Sequence, residues 1–156
     1  MYWLDTNVFI EAMNTYYAFT RVSKFWAFLS EQLVAGTICC PKRVYEELTK
    51  ENNQLAKWVR ARKEKGMCVM PSKEVQKRYT EIADHVFTNN SRVRTEEFLT
   101  GADGWVVAYA LHLGGTVVTQ ESRSRKRKVR IPAVCKLFDV PCIDTFAMLD
   151  RFDAEF

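Results

Sequence analysis

The sequence predicts an α/β fold built around a parallel β-sheet. Short apolar segments of strand length alternate with longer segments whose apolar residues recur every three to four positions, as they do on one face of a helix. Strands that are separated by helices need crossover connections, and these connections give parallel pairing. The chain has 156 residues and is 47% hydrophobic, so we expect a single domain over residues 1–156 with a substantial core.

The first half of the chain is expected to contain short strands and four helices. Val22, Phe25 and Leu29 follow helical spacing. Pro41 suits the first position of a helix, because its missing N–H would have no partner there. The predicted elements are a strand at 2–4 ending at Asp5, a helix from Asn7 to Met13, a helix at 20–35 closed by Gly36, a strand at 37–40, a helix from Pro41 that carries Val44, Glu47 and Leu48, a basic helix at 53–65 ended by Gly66, and a strand or extended linker at 67–70.

The second half has its clearest elements in the last third of the chain. Asp103 opens a strongly apolar helix, and Gly114 with Gly115 ends it. Pro141 restricts the last strand to an edge of the sheet, since proline cannot donate to a neighbouring strand. The predicted elements are a helix from Ser72 to Phe87, a short helix at 93–99, the helix from Asp103, a buried strand at 116–119, a helix at 131–138, an edge strand at 140–143 and a final helix at 144–152.

Four acidic residues lie beside apolar segments, where a solvated surface acid is least expected. Asp5 and Glu121 each follow a predicted strand, while Glu47 and Asp103 lie on predicted helices. In open parallel sheets, ligands bind beyond the carboxyl ends of the strands. We therefore expect the four carboxylates to meet at that edge, with the hydroxyl of Thr119 close to them.

Each of these residues also has a simpler interpretation. Asp5 could shape the turn after the strand, and Asn7 could cap the first helix instead of orienting Asp5 and a water molecule. Glu47 borders the buried face of its helix but could be a surface acid. Asp103 is a suitable N-cap as well as a candidate ligand. Glu121 could neutralise the basic residues that follow it.

Gathered carboxylates repel one another, and a hard divalent cation removes that penalty. Carboxylate oxygens are the ligands that Mg²⁺ and Mn²⁺ prefer. One such ion activates water, and two can clamp the attacking and departing oxygens of a phosphodiester. The sequence contains no phosphate-binding glycine loop and no nucleophile elbow. The pattern thus favours metal-assisted phosphoryl chemistry.

The positive charge of the chain is concentrated in one segment. The net charge is +4, and six of the 23 Lys and Arg residues lie within positions 123–130, leaving 17 against 19 acidic residues. Such a patch is typical of a site for a polyanion such as nucleic acid, although a solvated loop and a nuclear import signal are alternatives. The candidate nucleic-acid-binding residues are Arg123, Arg125, Lys126, Arg127, Lys128 and Arg130.

The acidic segments resemble those of the PIN-domain family of metal-dependent ribonucleases. Their order and spacing match over nearly the whole chain. The matching segments are Leu4-Asp5-Thr6-Asn7-Val8-Phe9-Ile10, Val44-Tyr45-Glu46-Glu47-Leu48, Ala102-Asp103-Gly104-Trp105-Val106-Val107-Ala108 and Thr119-Gln120-Glu121.

The resemblance implies a three-layer α/β/α sandwich with a short central parallel sheet. It also implies dependence on one or two Mg²⁺ or Mn²⁺ ions. Asp5, Glu47 and Asp103 would be the core metal ligands, and Asn7 and Thr119 accessory polar residues. Glu121 stands where the family usually has aspartate, and it completes the set of four catalytic and metal-binding acids.

The implied function is an endoribonuclease that hydrolyses phosphodiester bonds of single-stranded or structured RNA. The family includes VapC toxins of toxin–antitoxin pairs, so an antitoxin protein and a homodimer are the expected partners. The alternative is a catalytically weak or inactive PIN-like module that binds nucleic acid or a partner. We see no signal peptide and no segment of membrane-spanning length, which favours a cytoplasmic protein without a membrane partner.

Overall fold

The computed structural model describes residues 1–16, 18–19, 21–121 and 129–156, and these contain a four-stranded parallel sheet. The strands are β1 (Tyr2–Leu4), β2 (Ile38–Cys39), β3 (Thr116–Val118) and β4 (Cys142–Ile143), in the order β2-β1-β3-β4. Tyr2 pairs with Ile38 on one side and with Thr116 on the other. The N-terminal strand is therefore central, and the predicted α/β fold with a parallel sheet is confirmed.

Helices connect the strands and flank the sheet. The α-helices are α1 (Thr6–Glu11), α2 (Ser23–Ala35), α3 (Lys42–Leu48), α4 (Gln54–Arg60), α5 (Lys73–Asn89), α6 (Arg92–Thr100), α7 (Asp103–Leu113), α8 (Ile131–Leu137) and α9 (Thr145–Arg151). Two π-helical turns, Ala12–Tyr16 and Lys63–Met67, follow α1 and α4. No helix within the described ranges is both long enough and apolar enough to cross a bilayer.

One predicted helix is shorter than expected, and the structure decides between the two alternatives for residues 67–70. The basic helix expected at 53–65 ends at Arg60, and the chain leaves helical geometry at Lys65 and Gly66, where Gly66 has φ +88°. The segment at 67–70 pairs with the rest of the chain through a single bridge between Val69 and Pro41. The N–H of Val69 donates to the carbonyl oxygen of Cys40, the N–H of Lys42 donates to that of Val69, and a helix begins at Lys42, so this pairing does not extend into a strand. The alternative of an extended linker is the better description.

The sheet is buried on both faces at its centre. Leu4 and Val118 are fully buried, and Trp3 is 1% exposed. The indole N–H of Trp3 donates to the carbonyl oxygen of Gly114 (2.9 Å), and its ring packs against Tyr109 with centroids 5.1 Å apart. These contacts fix β1 and α7 against each other.

Replacing Gly115 with alanine is expected to destabilise the fold by about 2 kcal/mol or more. Gly115 has φ +105°, and a Cβ atom there would lie 2.6 Å from the carbonyl oxygen of Met1. That oxygen accepts the N–H of Thr116 (3.0 Å), so the clash would push β1 away from β3. Gly36→Ala is the matched control, because Gly36 also has positive φ (+71°) but no atom within 4 Å of a Cβ. Urea unfolding should show the larger loss for Gly115→Ala, and equal losses would contradict the steric argument.

Candidate active site

Asp5 lies at the carboxyl end of β1, in the middle of the sheet. Its backbone N–H donates to the carbonyl oxygen of Val118 (3.0 Å), which extends the pairing of β1 with β3 by one residue. Its side chain is 1% exposed, and the hydroxyl of Thr119 donates to its Oδ2 (3.0 Å). The structure therefore places the two strand-end residues at one edge of the sheet, as the sequence predicts.

Glu47 joins three separate segments through its carboxylate. It lies on α3, and its Oε2 accepts the hydroxyl of Thr6 (2.5 Å) while its Oε1 accepts the backbone N–H of Ala102 (2.9 Å). A Cβ atom on Gly101 would come within 2.9 Å of that same Oε1. Glycine at 101 thus leaves room for the Glu47 side chain to reach the start of α7.

Asp103 is the first helical residue of α7 and is partly buried. The N-cap position belongs to Ala102, so Asp103 adds its charge within the first turn instead of capping the helix. A negative charge in that turn is stabilised by the positive end of the helix dipole. The negative charge of Asp103 is therefore compatible with its position at the start of α7.

The contacts of Glu121 differ from those of Asp5 and Glu47. Its Oε2 accepts the backbone N–H of Ile131 (2.8 Å), and its Oε1 pairs with Nη1 of Arg130 (3.3 Å). Its own N–H donates to the hydroxyl of Thr119 (3.1 Å). The interpretation of Glu121 as a neutraliser of a following cation thus describes one of its contacts, with Arg130.

Charge interactions link Asp5 and Asp103 to each other and to Glu47 and Glu121. Burial raises the pKa of Asp5 from 3.8 to about 7, the hydrogen bond from Thr119 opposes this, and the charges of Glu121 and Glu47 raise it further. Burial raises the pKa of Asp103 to about 8, the charges of Asp5, Glu121 and Glu47 add to the rise, and Arg130 opposes it. The positive charge that the protein places around Asp5 and Asp103 is therefore too small to keep their pKa values in the ordinary range.

The side chains fit a hard divalent cation by their chemistry. Within the described ranges, no three His, Cys, Asp or Glu side chains are already placed to hold a metal ion. Carboxylates with raised pKa values and a neighbouring hydroxyl nevertheless form an all-oxygen donor set, which is what Mg²⁺ and Mn²⁺ bind. A cleft of about 520 Å³ includes Glu47 in its wall, and one of about 370 Å³ includes Thr119 and Glu121.

Asn7 and most of the basic segment make no described contact with the four acids, and one contributor was not predicted. Asn7 is exposed on α1. Arg123, Arg125, Lys126, Arg127 and Lys128 fall outside the described residues, so of the basic segment only Val129 and Arg130 are described. Thr6 is the missed contributor, since it is 8% exposed and bonds Glu47. A hydroxyl directly after a strand-end aspartate was the signal that could have identified it.

Comparisons with known proteins agree with the fold. A family model described as "Domain of unknown function (DUF4411)" matches residues 2–156. A chain of VapBC2 from Rickettsia felis, crystallised with a DNA fragment from their promoter, is similar over 92% of this chain and 97% of that chain (TM-score 0.55, 17% identity). A chain of VapBC-1 from nontypeable Haemophilus influenzae is similar over 92% and 96% (TM-score 0.56, 19% identity). The comparison with curated proteins gives no match. The predicted PIN-like fold is thereby confirmed.

Proposed function

The chain belongs to the family described as "Domain of unknown function (DUF4411)", and from its PIN-like fold and its acidic site we propose that it is a metal-dependent endoribonuclease hydrolysing phosphodiester bonds of RNA. The observation that carries the proposal is the position of Asp5. A carboxylate that is 1% exposed, with a pKa raised to about 7, is costly to the fold unless a cation or a proton accompanies it. A divalent ion bound at this site would compensate the negative charge of the buried Asp5 carboxylate.

Asp5, Glu47 and Asp103 would hold the Mg²⁺ or Mn²⁺ ion. When bound, such an ion lowers the pKa of water and polarises phosphoryl oxygens. Thr119 orients Asp5 through its hydrogen bond, and Thr6 with the N–H of Ala102 orients Glu47. These hydrogen bonds fix the rotamers of the carboxylates. Removing such partners of metal ligands typically lowers metal affinity or activity about 10–100-fold.

RNA and an antitoxin are the partners that this proposal implies. The fold neighbours are chains of VapBC complexes, which supports a toxin role in a toxin–antitoxin pair acting in the cytoplasm. A protein inhibitor of this site would be expected to present a cation to the acids, since an Arg or Lys side chain could take the position of the metal. A homodimer is a further expectation.

A PIN-like module that binds nucleic acid without cleaving it is the second candidate. The contacts of Glu121 favour it, because both carboxylate oxygens of this residue already accept protein donors. Such a module would bind RNA in the presence of EDTA, with an affinity that falls with salt. It would not cleave RNA at any concentration of Mn²⁺.

The direct experiment is RNA cleavage by the purified protein with Mn²⁺, compared with Asp5→Asn. Wild-type protein is expected to cleave a single-stranded RNA with Mn²⁺ and not with EDTA, while Asp5→Asn loses at least about 100-fold in kcat because the amide cannot replace the charged ligand. Asp84→Asn is the control, since Asp84 is an exposed acid on α5, a helix that carries none of the four candidate acids. Equal cleavage by wild type and Asp5→Asn would reject the catalytic site.

A further inference from the structure

A cleft lined by side chains of α3 and α7 has so far been given no role. Its volume is about 400 Å³, and none of the four candidate acids belongs to its wall. Clefts of about 300–1,000 Å³ typically hold small organic ligands, so this one has room for a ligand the size of one nucleotide. The wall of this α3–α7 cleft combines two cations, one acid and two aromatic rings, from Lys42, Arg43, Glu46, Trp105 and Tyr109.

The α3–α7 cleft adjoins the acidic site through a segment that α3 holds at two points. Nη2 of Arg43 donates to the carbonyl oxygen of Thr100 (3.0 Å), and Oε1 of Glu47 accepts the N–H of Ala102 (2.9 Å). Arg43 and Glu47 are four residues apart on α3, so they lie on the same side of that helix. A polymer that binds at Glu47 is therefore about one helical turn from the cleft.

Trp105 brings a fixed aromatic ring to the α3–α7 cleft. The ring of Tyr79 stacks on the indole with centroids 4.0 Å apart and planes 9° apart, and the Tyr79 hydroxyl donates to the carbonyl oxygen of Leu99 (3.1 Å). A Cβ atom at Gly104 would lie 3.0 Å from the Tyr79 ring, so glycine there lets this ring pack close to α7. Tyr79 covers one face of Trp105, and the half-buried indole keeps surface on which a base can stack.

Two cations share one acid at the wall of the α3–α7 cleft. Glu46 pairs with Nζ of Lys42 (3.4 Å) and with Nη1 of Arg43 (3.1 Å). The side chains of Lys42 and Arg43 are 44% and 42% exposed, so solvent reaches both of them. Two positive charges against one negative charge leave an excess of one positive charge, which favours an anionic ligand.

We propose that the α3–α7 cleft binds one nucleotide of a single-stranded RNA beside the acidic site. Its base stacks on Trp105, and its phosphate contacts Lys42 and Arg43. An aromatic ring and cations in one cleft match the two parts of a nucleotide, whereas an acidic peptide would use the cations alone. This inference rests on the proposed ribonuclease function, because it adds the place where the substrate strand is held. These residues bind the strand and take no chemical step.

The stacking claim is tested by the binding of a short single-stranded RNA in EDTA, where cleavage is stopped. Trp105→Leu is expected to weaken binding by about 5–150-fold, the range for the loss of one base–aromatic stack. Trp58→Leu is the matched control for lost aromatic packing, because Trp58 is also half-buried but is not part of the cleft wall. Equal affinities of the two variants would overturn the stacking claim.

An abasic ribose-phosphate strand of the same length separates stacking from a general loss of structure. The abasic strand has no base to stack, so wild type and Trp105→Leu should bind it equally. The effect of the substitution on RNA binding should thus vanish when the bases are removed, as it must when both changes delete one shared contact. A loss of affinity for the abasic strand as large as that for RNA would contradict a stack on Trp105.

The phosphate claim is tested by the dependence of RNA affinity on salt. Lys42→Gln should reduce the slope of log affinity against log salt by about 0.7, the value for one phosphate contact on a single strand. Lys24→Gln is the control, because Lys24 is an exposed cation on α2, which contributes nothing to the cleft wall. An unchanged slope in Lys42→Gln would reject the phosphate contact. This half-exposed position also keeps the inference testable if Trp105→Leu does not fold.

AMP distinguishes an RNA strand from a free nucleotide as the ligand of the cleft. RNA should bind more tightly than AMP and be displaced by it, because the strand also contacts the protein outside the cleft. Tighter binding of AMP than of RNA would overturn the assignment to RNA. RNA that binds in this way but is not cleaved with Mn²⁺ rejects the ribonuclease proposal and keeps the cleft. Cleavage with unchanged kcat/KM in Trp105→Leu rejects the cleft and keeps the ribonuclease.

Discussion

Asp103→Asn is expected to reduce RNA cleavage at least about 100-fold and, at the same time, to stabilise the metal-free protein. The loss of activity follows from removing a charged ligand of the proposed ion. The gain in stability follows because burial and the charges of Asp5, Glu121 and Glu47 raise the pKa of Asp103 to about 8. In the folded protein the Asp103 carboxyl must therefore either keep a proton or carry a negative charge that the neighbouring acids repel. Asparagine is neutral and avoids both penalties.

The gain should depend on pH in a defined direction. The pKa of Asp103 is 3.8 in an unfolded chain and about 8 in the fold, so the cost to the wild type grows as pH rises between these values. In EDTA we expect an advantage for Asp103→Asn on the order of 2 kcal/mol at pH 8, disappearing near pH 4. Urea unfolding at pH 4, 6 and 8 measures the difference in unfolding free energy between the variant and the wild type. A variant that loses activity but is destabilised at pH 8 would show that Asp103 is not under electrostatic stress.

The affinity for Mn²⁺ is expected to rise steeply with pH. In the metal-free fold the pKa of Asp5 is about 7 and that of Asp103 about 8, so both carboxyl groups carry protons at pH 6. Binding of the ion must then displace two protons, and each displaced proton changes the affinity about tenfold per pH unit. Between pH 6 and pH 7 the affinity should therefore increase by up to about 100-fold, and above pH 8 it should level off.

Calorimetry in two buffers of different ionisation enthalpy counts the released protons directly. Wild type should release close to two protons per Mn²⁺ at pH 6, and Asp103→Asn should release one. The outcome that would contradict the proposed ligands is a pH-independent affinity, because it would mean that neither aspartate is protonated in the metal-free site. The stability of the metal-free wild type should fall over the same pH range, since the folded state binds more protons than the unfolded state.

Much of the fold could be predicted because local sequence and tertiary packing agree. The strand at 2–4, the helix that opens at Asp103 and the strand before Thr119 are all strongly apolar, and the structure has each of them. Helix boundaries that depend on backbone geometry were harder to predict from the sequence. The π-helical turn Ala12–Tyr16 extends the first helix beyond the predicted end, and apolar spacing does not distinguish it from an α-helical turn.

At the site, the sequence predicts that Asp5 and Thr119 lie at one edge of the sheet, and it does not predict the contacts that they make. Parallel topology brings these two residues together, and the hydroxyl of Thr119 donates to Asp5. The direction of the Glu121 side chain could not be predicted, because it depends on where Ile131 and Arg130 return to the sheet. The exposure of Asn7 likewise follows from α1 beginning at Thr6, which turns the next residue outward.

The central place of β1 has a consequence for the synthesis of the protein. Its two neighbours are β2 and β3, and the bond between Thr119 and Asp5 joins residues that are 114 positions apart. A ribosome must therefore release more than three quarters of the polypeptide before the first strand gains its second partner. Until Thr119 has been synthesised, the nascent chain lacks the hydroxyl that orients Asp5. The proposed site therefore cannot form before most of the chain has been synthesised.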